Sequence, residues 1–460
     1  MTAQSIVRGK PSERGVALIA ALLLLVVLSA LAAGLAASGK VELAIGDNES
    51  KFVKTRAAAE AGLNRGVVIV KAAMLAGTTD LPALLRGPDG EVSAYYPSSS
   101  VNADNGSLVA TLGGTSPWAV SDTAPGYSYT VQMYDDDDPR LYDTALTSAQ
   151  LTAMGENGVS VTDGNNRLVI RATGYGPGGT TVMVQSMLVP QDLPAIIVDG
   201  DLTVAGSAHI EGSKGGVHAN HDLFINDMAI EIAQNATASN NYTAPANWTP
   251  GGDYGGSRPK IDVPDVNAAD YYNQADLVLT NTGLVKDRAT NATLCNASSD
   301  ANACRSTYGW RYQGSGNWDL NSNSAFSATY YIQGDATVSG NPGSPAHPLP
   351  MTLIAEGDIN ITGNPDLRPE AASSLQFVTN KDLKLNGNLT EPLTVEGRNL
   401  VHEQLFVQGN ATLSGQIIVQ NVPSVSNLVT DNSISGSMTI TYNGTLGTLT
   451  YTISGWREGQ

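Results

Sequence analysis

Several residue groups in this chain could do chemistry. VHEQLF (Val401 to Phe406) opens like the His-Glu-x-x-His signature of zinc proteases, in which two imidazoles one helical turn apart hold the metal. Phe406 stands where the second His belongs, and the segment reads as a strand, so no metal is expected of it. Asp135, Asp136, Asp137 and Asp138, followed by Pro139 and with Asp143 nearby, form the densest acidic run. Hard cations take oxygen ligands, which makes the run a weak calcium candidate. Its spacing is not that of an EF-hand loop, and a solvated loop is the plainer reading. Cys295 and Cys304 are the only cysteines and enclose NASSDANA. Two thiols exclude a four-thiolate zinc site; in an oxidising compartment they are a candidate disulfide closing a short loop.

Asp199, Asp201, Asp335 and Asp358 match no catalytic spacing. A polysaccharide lyase or hydrolase needs paired carboxylates on one face, whereas these sit at the corners of a repeat, where structural placement is the better reading. Trp248, Trp310 and Trp318 are read as exposed in a Tyr-rich stretch, able to stack on a sugar or fill a partner's pocket, or to pin a long loop to its scaffold. Neither a Gly-x-Ser-x-Gly elbow nor a phosphate loop occurs, so the chain brings no ATPase of its own. The expectation is a protein with no catalytic residues, metal or cofactor.

The elements that carry these residues follow from composition. The 460 residues include 25 basic and 43 acidic side chains, a net charge of −18. Such a chain has no basic excess to neutralise phosphates, which argues against nucleic acid as a partner. Charged residues are only 15 %, while 48 glycines and abundant Asn point to a turn-rich β protein outside the cytoplasm. After a basic start, Val16 to Ala37 is apolar apart from Ser29, long enough as a helix of about 33 Å to cross a bilayer. The preceding charges favour a cytoplasmic N-terminus. Ala-Ala-Gly-Leu-Ala-Ala at the end of the run keeps a cleaved signal peptide as the alternative. From Gly39 to about Met74 there is no proline, and Val41, Ile45, Phe52, Ala59, Leu63 and Val67 form an amphipathic stripe that continues the helix.

Arg14-Gly15 before Val16-Ala17-Leu18 looks like the leader junction cut by prepilin peptidase. Together with RGVALIAALLLLVVLSAL and the later RAAAEAGLNR (Arg56 to Arg65), it resembles the N-terminal region of PilX-type minor pilins of the type IV pilus, over roughly residues 12–70. The resemblance implies cleavage between Gly15 and Val16, a pilin helix that is half transmembrane, and a role in priming assembly at the pilus tip, with adhesion as a further role. It implies other minor and major pilins, the peptidase and the inner membrane as partners, and a surface or glycan ligand as a candidate. Major pilins carry Glu at the fifth position after the cut; here it is Ala20. PilX-type minor pilins and the tip pseudopilin of type II secretion also lack it. An unpaired carboxylate in hydrocarbon is costly, so Ala eases insertion and points away from repeated incorporation along the fibre.

The expected fold is α+β. A leader (1–15) and helix (16–75) precede a small antiparallel β head (80–190), with strands over Leu108 to Leu112, Tyr127 to Tyr134, Leu168 to Gly174 and Thr180 to Val189. YGPGG (Tyr175 to Gly179) turns the last two into a hairpin. Beyond 191 a motif recurs: GDLTVAG (Gly200 to Gly206), GDATVSG (Gly334 to Gly340), GDINITG (Gly357 to Gly363) and GNATLSG (Gly409 to Gly415), with weaker copies at Lys381 and His221. Such spacing predicts a right-handed parallel β-helix over 191–460, its corner Asn able to take the left-handed conformation and to ladder with Asn in the next turn, with an insertion at about 235–325. An antiparallel sandwich is the alternative. The expected function is a minor pilin; a type II tip pseudopilin or a membrane-anchored β-helix polysaccharide enzyme are the alternatives.

Overall fold

The computed structural model describes residues 13–75, 118–119, 126–136, 141, 146–155, 167–191, 193–323, 325–370, 374–392, 395–423, 431–446 and 451–459. Its first element is one 63-residue helix, α1 (Glu13–Leu75), about 95 Å long at roughly 1.5 Å per residue. Ala and Leu dominate its first half. In its polar half, Lys51 pairs with Asp47 at 2.6 Å and Arg56 with Glu60 at 3.0 Å, each one turn apart.

The head is an antiparallel sheet built on this helix. Its strands are β1 (Trp118–Ala119), β2 (Ser128–Asp135), β3 (Leu168–Gly176) and β4 (Thr180–Pro190), in that spatial order. The turn between β3 and β4 places Gly178 and Gly179 at φ 76° and 75°, where a side chain would be strained. A short helix, α2 (Ser148–Met154), begins with a capping box between Thr147 and Gln150 and ends at Gly155 with φ 84°. The strand expected at Leu108 to Leu112 lies outside the described residues. The fifth strand of this sheet is the C-terminal segment Tyr451–Gly459, antiparallel to β4, with Pro190 opposite Tyr451. The head is therefore not confined to 80–190: the chain returns to it after the whole of 191–450.

Everything between those two strands is mostly β, in sheets of 17 and 10 strands whose pairings are largely parallel. Short strands such as Asp201–Val204 and His209–Glu211 alternate inward apolar and outward polar residues, Ile196–Val198 is apolar and buried on both faces, and each turn pairs in register with the next. The shared interior holds Ile196, Leu202, Ile210, Ile359, Phe377 and Leu413 among many others. Neighbours in the stack are not always neighbours in sequence. Ile196–Val198 pairs on one side with Val217–Ala219 and on the other with Ile417 to Val419. The chain thus enters mid-stack, runs to one end at Tyr254–Gly255, crosses back over 256–276, and winds from Leu277–Leu279 towards its starting point.

The crossing segment lies along the stack as a strap. Ile261 N donates to Asn220 Oδ1 (2.8 Å), Val266 N to Gln420 Oε1 (2.8 Å), Ala268 N to Asn380 Oδ1 (2.6 Å), and Thr329 N to Asp276 Oδ2 (2.9 Å). Beneath it Val266, Ala268 and Tyr271 cover Ile197, Val378, Leu400 and Ile418, which a bare parallel sheet would expose. Of the segment set apart at 235–325, Ala236–Ala238, Tyr242–Thr243 and Tyr254–Gly255 pair into the stack itself. Three antiparallel pairings and α3 (Ala301–Tyr308) close the far end.

Glycine sets the corner that ends each repeat. A Cβ on Gly363 would collide with the carbonyl oxygen of Gly340, one on Gly387 with Gly363, on Gly409 with Gly387, and on Gly436 with Gly409. That row corrects the phase of one repeat. Gly409 closes a turn containing Leu405–Val407, so GNATLSG is not a copy of the other motifs, and Asn410–Val419 runs round the next corner instead. The matching later turn is Asp431–Ile434 with Gly436.

Candidate functional site: the N-terminal helix and its head

From Leu18 to Val53 the large apolar side chains of α1 are exposed, Leu35 and Leu43 by about three quarters. Among the described residues this is one helix long and apolar enough to cross a membrane. From Thr55 onward one face is buried: Thr55, Ala59, Leu63 and Val70 press onto the sheet, against Val131, Met133, Ile170, Ala172 and Val184. The Ala-Ala-Ala-Glu-Ala-Gly run thereby gains a physical reason, because small residues let helix and sheet backbones approach. A Cβ on Gly62 would come within 2.8 Å of the Tyr129 ring, and one on Gly66 within 2.8 Å of Ile170 Cγ2. From the sheet side, a Cβ on Gly174 would meet Thr55 O and Ala59 N. Gly34, Gly39 and Gly46, on the bare half, meet nothing within 4 Å.

Gly15 and Val16 lie in the first turns of α1, and Ala20 and Ala37 are exposed on its bare length. Asp135 ends β2 and Asp136 is buried in the turn that follows; Asp137 and Asp138 fall outside the described residues. Among the described residues no group of three or more His, Cys, Asp or Glu side chains could hold a metal ion. Cys295 and Cys304 are disulfide-bonded and tie α3 to the strand Thr293–Asn296 at the closed end of the stack.

The tryptophans expected to be exposed are buried: Trp248 is 6 % exposed, Trp310 0 % and Trp318 1 %. An open stack end leaves its core uncovered, and a large ring is the economical lid. Trp248 Nε1 donates to Ile230 O (2.7 Å) and Trp318 Nε1 to Thr280 O (3.0 Å), so these polar edges are satisfied. Three of the four corner aspartates bind backbone. Asp201, Asp335 and Asp358 each accept the N–H of the aspartate one turn on, at 3.0, 2.9 and 3.2 Å, and Asp199 accepts Asn220 Nδ2 at 2.8 Å. A parallel ladder of Asn341, Asn364, Asn388 and Asn410 runs along another corner. None of these four is left-handed; the asparagines with positive φ are Asn247, Asn291 and Asn421.

One histidine touches the strap and another reaches it through Asn220. His402 Nδ1 lies 2.8 Å from both Val266 O and Gln420 Oε1. His218 contacts Thr237 Oγ1 at 2.8 Å and Asn220 Oδ1 at 3.1 Å; burial lowers its pKa, against the opposing hydrogen bond from Asn220. A cleft of about 270 Å³ beside it is lined by Lys214, Gln234, Asn235 and Ile261. The strap, the C-terminal strand and the Gly174 contact have no counterpart in the sequence-based expectations. The apolar residues Ile261, Val263 and Val266 within a polar, proline-containing stretch are the available signal for the first. Comparison with protein-family models, curated proteins and solved structures returns no match.

Proposed function

We propose that the chain is a minor pilin of a type IV pilus, cut between Gly15 and Val16 by prepilin peptidase and displayed with its β region at the pilus tip. The observation that carries the reading is the division of α1. One half is bare and apolar, the other is packed through Thr55, Ala59, Gly62 and Gly66 onto a small antiparallel sheet. From Leu18 to Lys54 the bare length is about 55 Å, enough for a bilayer core of roughly 30 Å with some 25 Å to spare. Hydrophobic helices that size are stable only in lipid or among other apolar helices, as in a filament of pilins. Ala20 in place of glutamate favours a place at or near the tip. The working site is then the inner membrane before assembly and the pilus afterwards, with other minor and major pilins as partners.

The body inserted in the head is best read as a right-handed parallel β-helix. Its in-register parallel ladders, glycine row and asparagine row support that reading, and right-handed crossovers are the general rule. Such a body supplies a long rigid surface for adhesion. Asp201, Asp335 and Asp358 each hold a backbone N–H and Asp199 the Asn220 side-chain amide, which supports a structural role for these corners.

The test is N-terminal mass spectrometry of the membrane-bound protein made with and without prepilin peptidase. A chain beginning at N-methylated Val16 only when the peptidase is present is the expected result. An intact Met1 end in both cultures, or a cut near Ala37, would overturn the pilin reading.

A further inference from the structure

We infer that closing the stack is what completes the head, so that folding of the displayed body and of the pilin head are coupled through the C-terminal strand. The inference rests on the pilin reading only for its consequence in assembly.

Pro190 and Tyr451 stand directly opposite each other at the end of the β4 ladder, the position of a tight hairpin turn. In place of a turn the chain carries residues 191–450. Both connections are short. Ala195 is already in the stack interior, and so is Leu446, which leaves four residues before Tyr451. At about 3.4 Å per residue that tether reaches no more than roughly 17 Å. The C-terminal strand can reach β4 only if Leu446 sits near the place where the chain entered.

That nearness is produced by the stack. The first and last turns are laid side by side, with Ile417 to Val419 on Ile196 to Val198 and Thr439 to Thr441 on His209 to Glu211. Side chains stitch the same seam: Gln416 Nε2 donates to Pro194 O (2.9 Å) and Asn432 Nδ2 to Asp201 O (3.0 Å). The outgoing segment is fastened to both sides. Lys214 N donates to Tyr442 O at 3.0 Å, and Ser213 Oγ to Asn443 O at 3.0 Å. Across the seam the buried Glu396 carboxylate accepts Asn443 N (2.5 Å), Thr445 N (2.9 Å) and Thr445 Oγ1 (2.6 Å). With the seam closed, docking of the final strand is the closure of a four-residue tether. With it open, the same pairing must close a loop of about 260 residues. Loop closure scales as the −3/2 power of length, so the open stack disfavours the head by on the order of several hundredfold. A subunit with an unfinished body therefore carries a four-stranded head with β4 as a bare edge.

The test lengthens the tether without touching either fold. Twenty Gly/Ser residues are inserted after Leu446 of the full chain, with Glu396→Ala as an independent second variant. Amide hydrogen exchange is then followed in β4 and at the seam strand Ile196–Val198. The same scaling gives a rise on the order of tenfold in β4 exchange for the insertion. Faster exchange at β4, alone or together with the seam, is the expected result. Unchanged exchange at β4, or loss at the seam with β4 unmoved, would overturn the coupling, because the last strand would then dock by its own affinity. A separate arm compares recovery of the insertion variant and the wild type in sheared pili. A wild type that keeps its leader and never enters pili would sink the pilin reading while leaving the exchange result standing.

Discussion

Gly174→Ala should unseat α1 from the head, and the structure gives the size of the effect. Gly174 lies in β3 opposite Tyr129 of β2, where α1 crosses the sheet most closely. Its backbone is not in a left-handed conformation, so alanine brings no dihedral penalty and the cost is steric. The added methyl would lie 2.8 Å from Ala59 N and closer still to Thr55 O, both backbone atoms of a hydrogen-bonded helix that cannot rotate away. Ordinary contact needs about 3.4 Å or more, and the shorter Thr55 O contact sets the displacement, so the helix must lift by about 1 Å, a gap that forfeits up to about half of the dispersion energy of the atoms behind it. Those atoms belong to Ala59, Leu63, Val70, Val131, Ile170 and Val184. A loss of about 2–3 kcal/mol follows, in the range measured for overpacked cores, and about 2 kcal/mol already corresponds to some thirtyfold in an opening equilibrium. The control is Gly39→Ala, on the bare half with nothing within 4 Å, which should strengthen the helix by up to about 1 kcal/mol and leave the head untouched. Hydrogen exchange of β3 and β4 amides in detergent-solubilised protein reads both. Exchange in Gly174→Ala within threefold of the wild type would refute the close-packing argument.

Removing the Cys295–Cys304 link by a double serine substitution should destabilise the closed end of the stack by about 2–3 kcal/mol, the loop entropy of ten residues. The readout is fluorescence of Trp310 and Trp318 during denaturation; identical midpoints for oxidised and serine forms would count against it. Glu391 is wholly buried, with Ser414 N donating to Oε2 at 2.9 Å, and burial pushes its pKa from 4.5 to about 8. Between those values the folded protein holds a proton that the unfolded chain has released, so stability should fall as pH rises from about 4.5 to 8. Glu391→Gln should flatten that slope in denaturant titrations at pH 5 and pH 8, and a slope that survives the substitution would assign it elsewhere.

What could be read from the sequence was whatever is local. An unbroken apolar run followed by an amphipathic stripe specifies a long helix, and the alternation at Tyr127 to Tyr134 and Thr180 to Val189 specifies half-buried strands. The turns around Leu202, Ile359 and Leu383 repeat an apolar pattern because each has the same two neighbours. Where the deciding contact lies in another turn, local pattern misleads. NATLS alternates as well as LFV does, yet only the collision of Gly409 with Gly387 shows which of them ends at the glycine corner. Trp248 and Trp318 sit among Asn, Gly and Ser, a solvent-like context, and are buried because a stack end needs a lid. RPKIDVPDVNAADYY has the composition of a linker; its apolar residues matter only because the sheet beneath presents Val378, Leu400 and Ile418 outward.

The order of winding has a geometric cause in the head. The longest parallel ladder takes nine steps from Tyr254–Gly255 to Leu277–Leu279, about 43 Å at roughly 4.8 Å per step. A body wound in chain order from one end to the other would leave its two termini that far apart, while β4 and the C-terminal strand must end opposite each other. Starting in mid-stack makes the first and last turns neighbours, and both parts still advance in the same direction along the axis, so their turns stack without a change of hand. The requirement this creates is a return across the stack. The strap meets it with 16 residues from Ile261 to Asp276, spanning about six steps and laid on an apolar outer face. Turns added or lost away from the seam would change the reach of the body and the length of the strap together, and would leave the head, with its helix and its final strand, as it is.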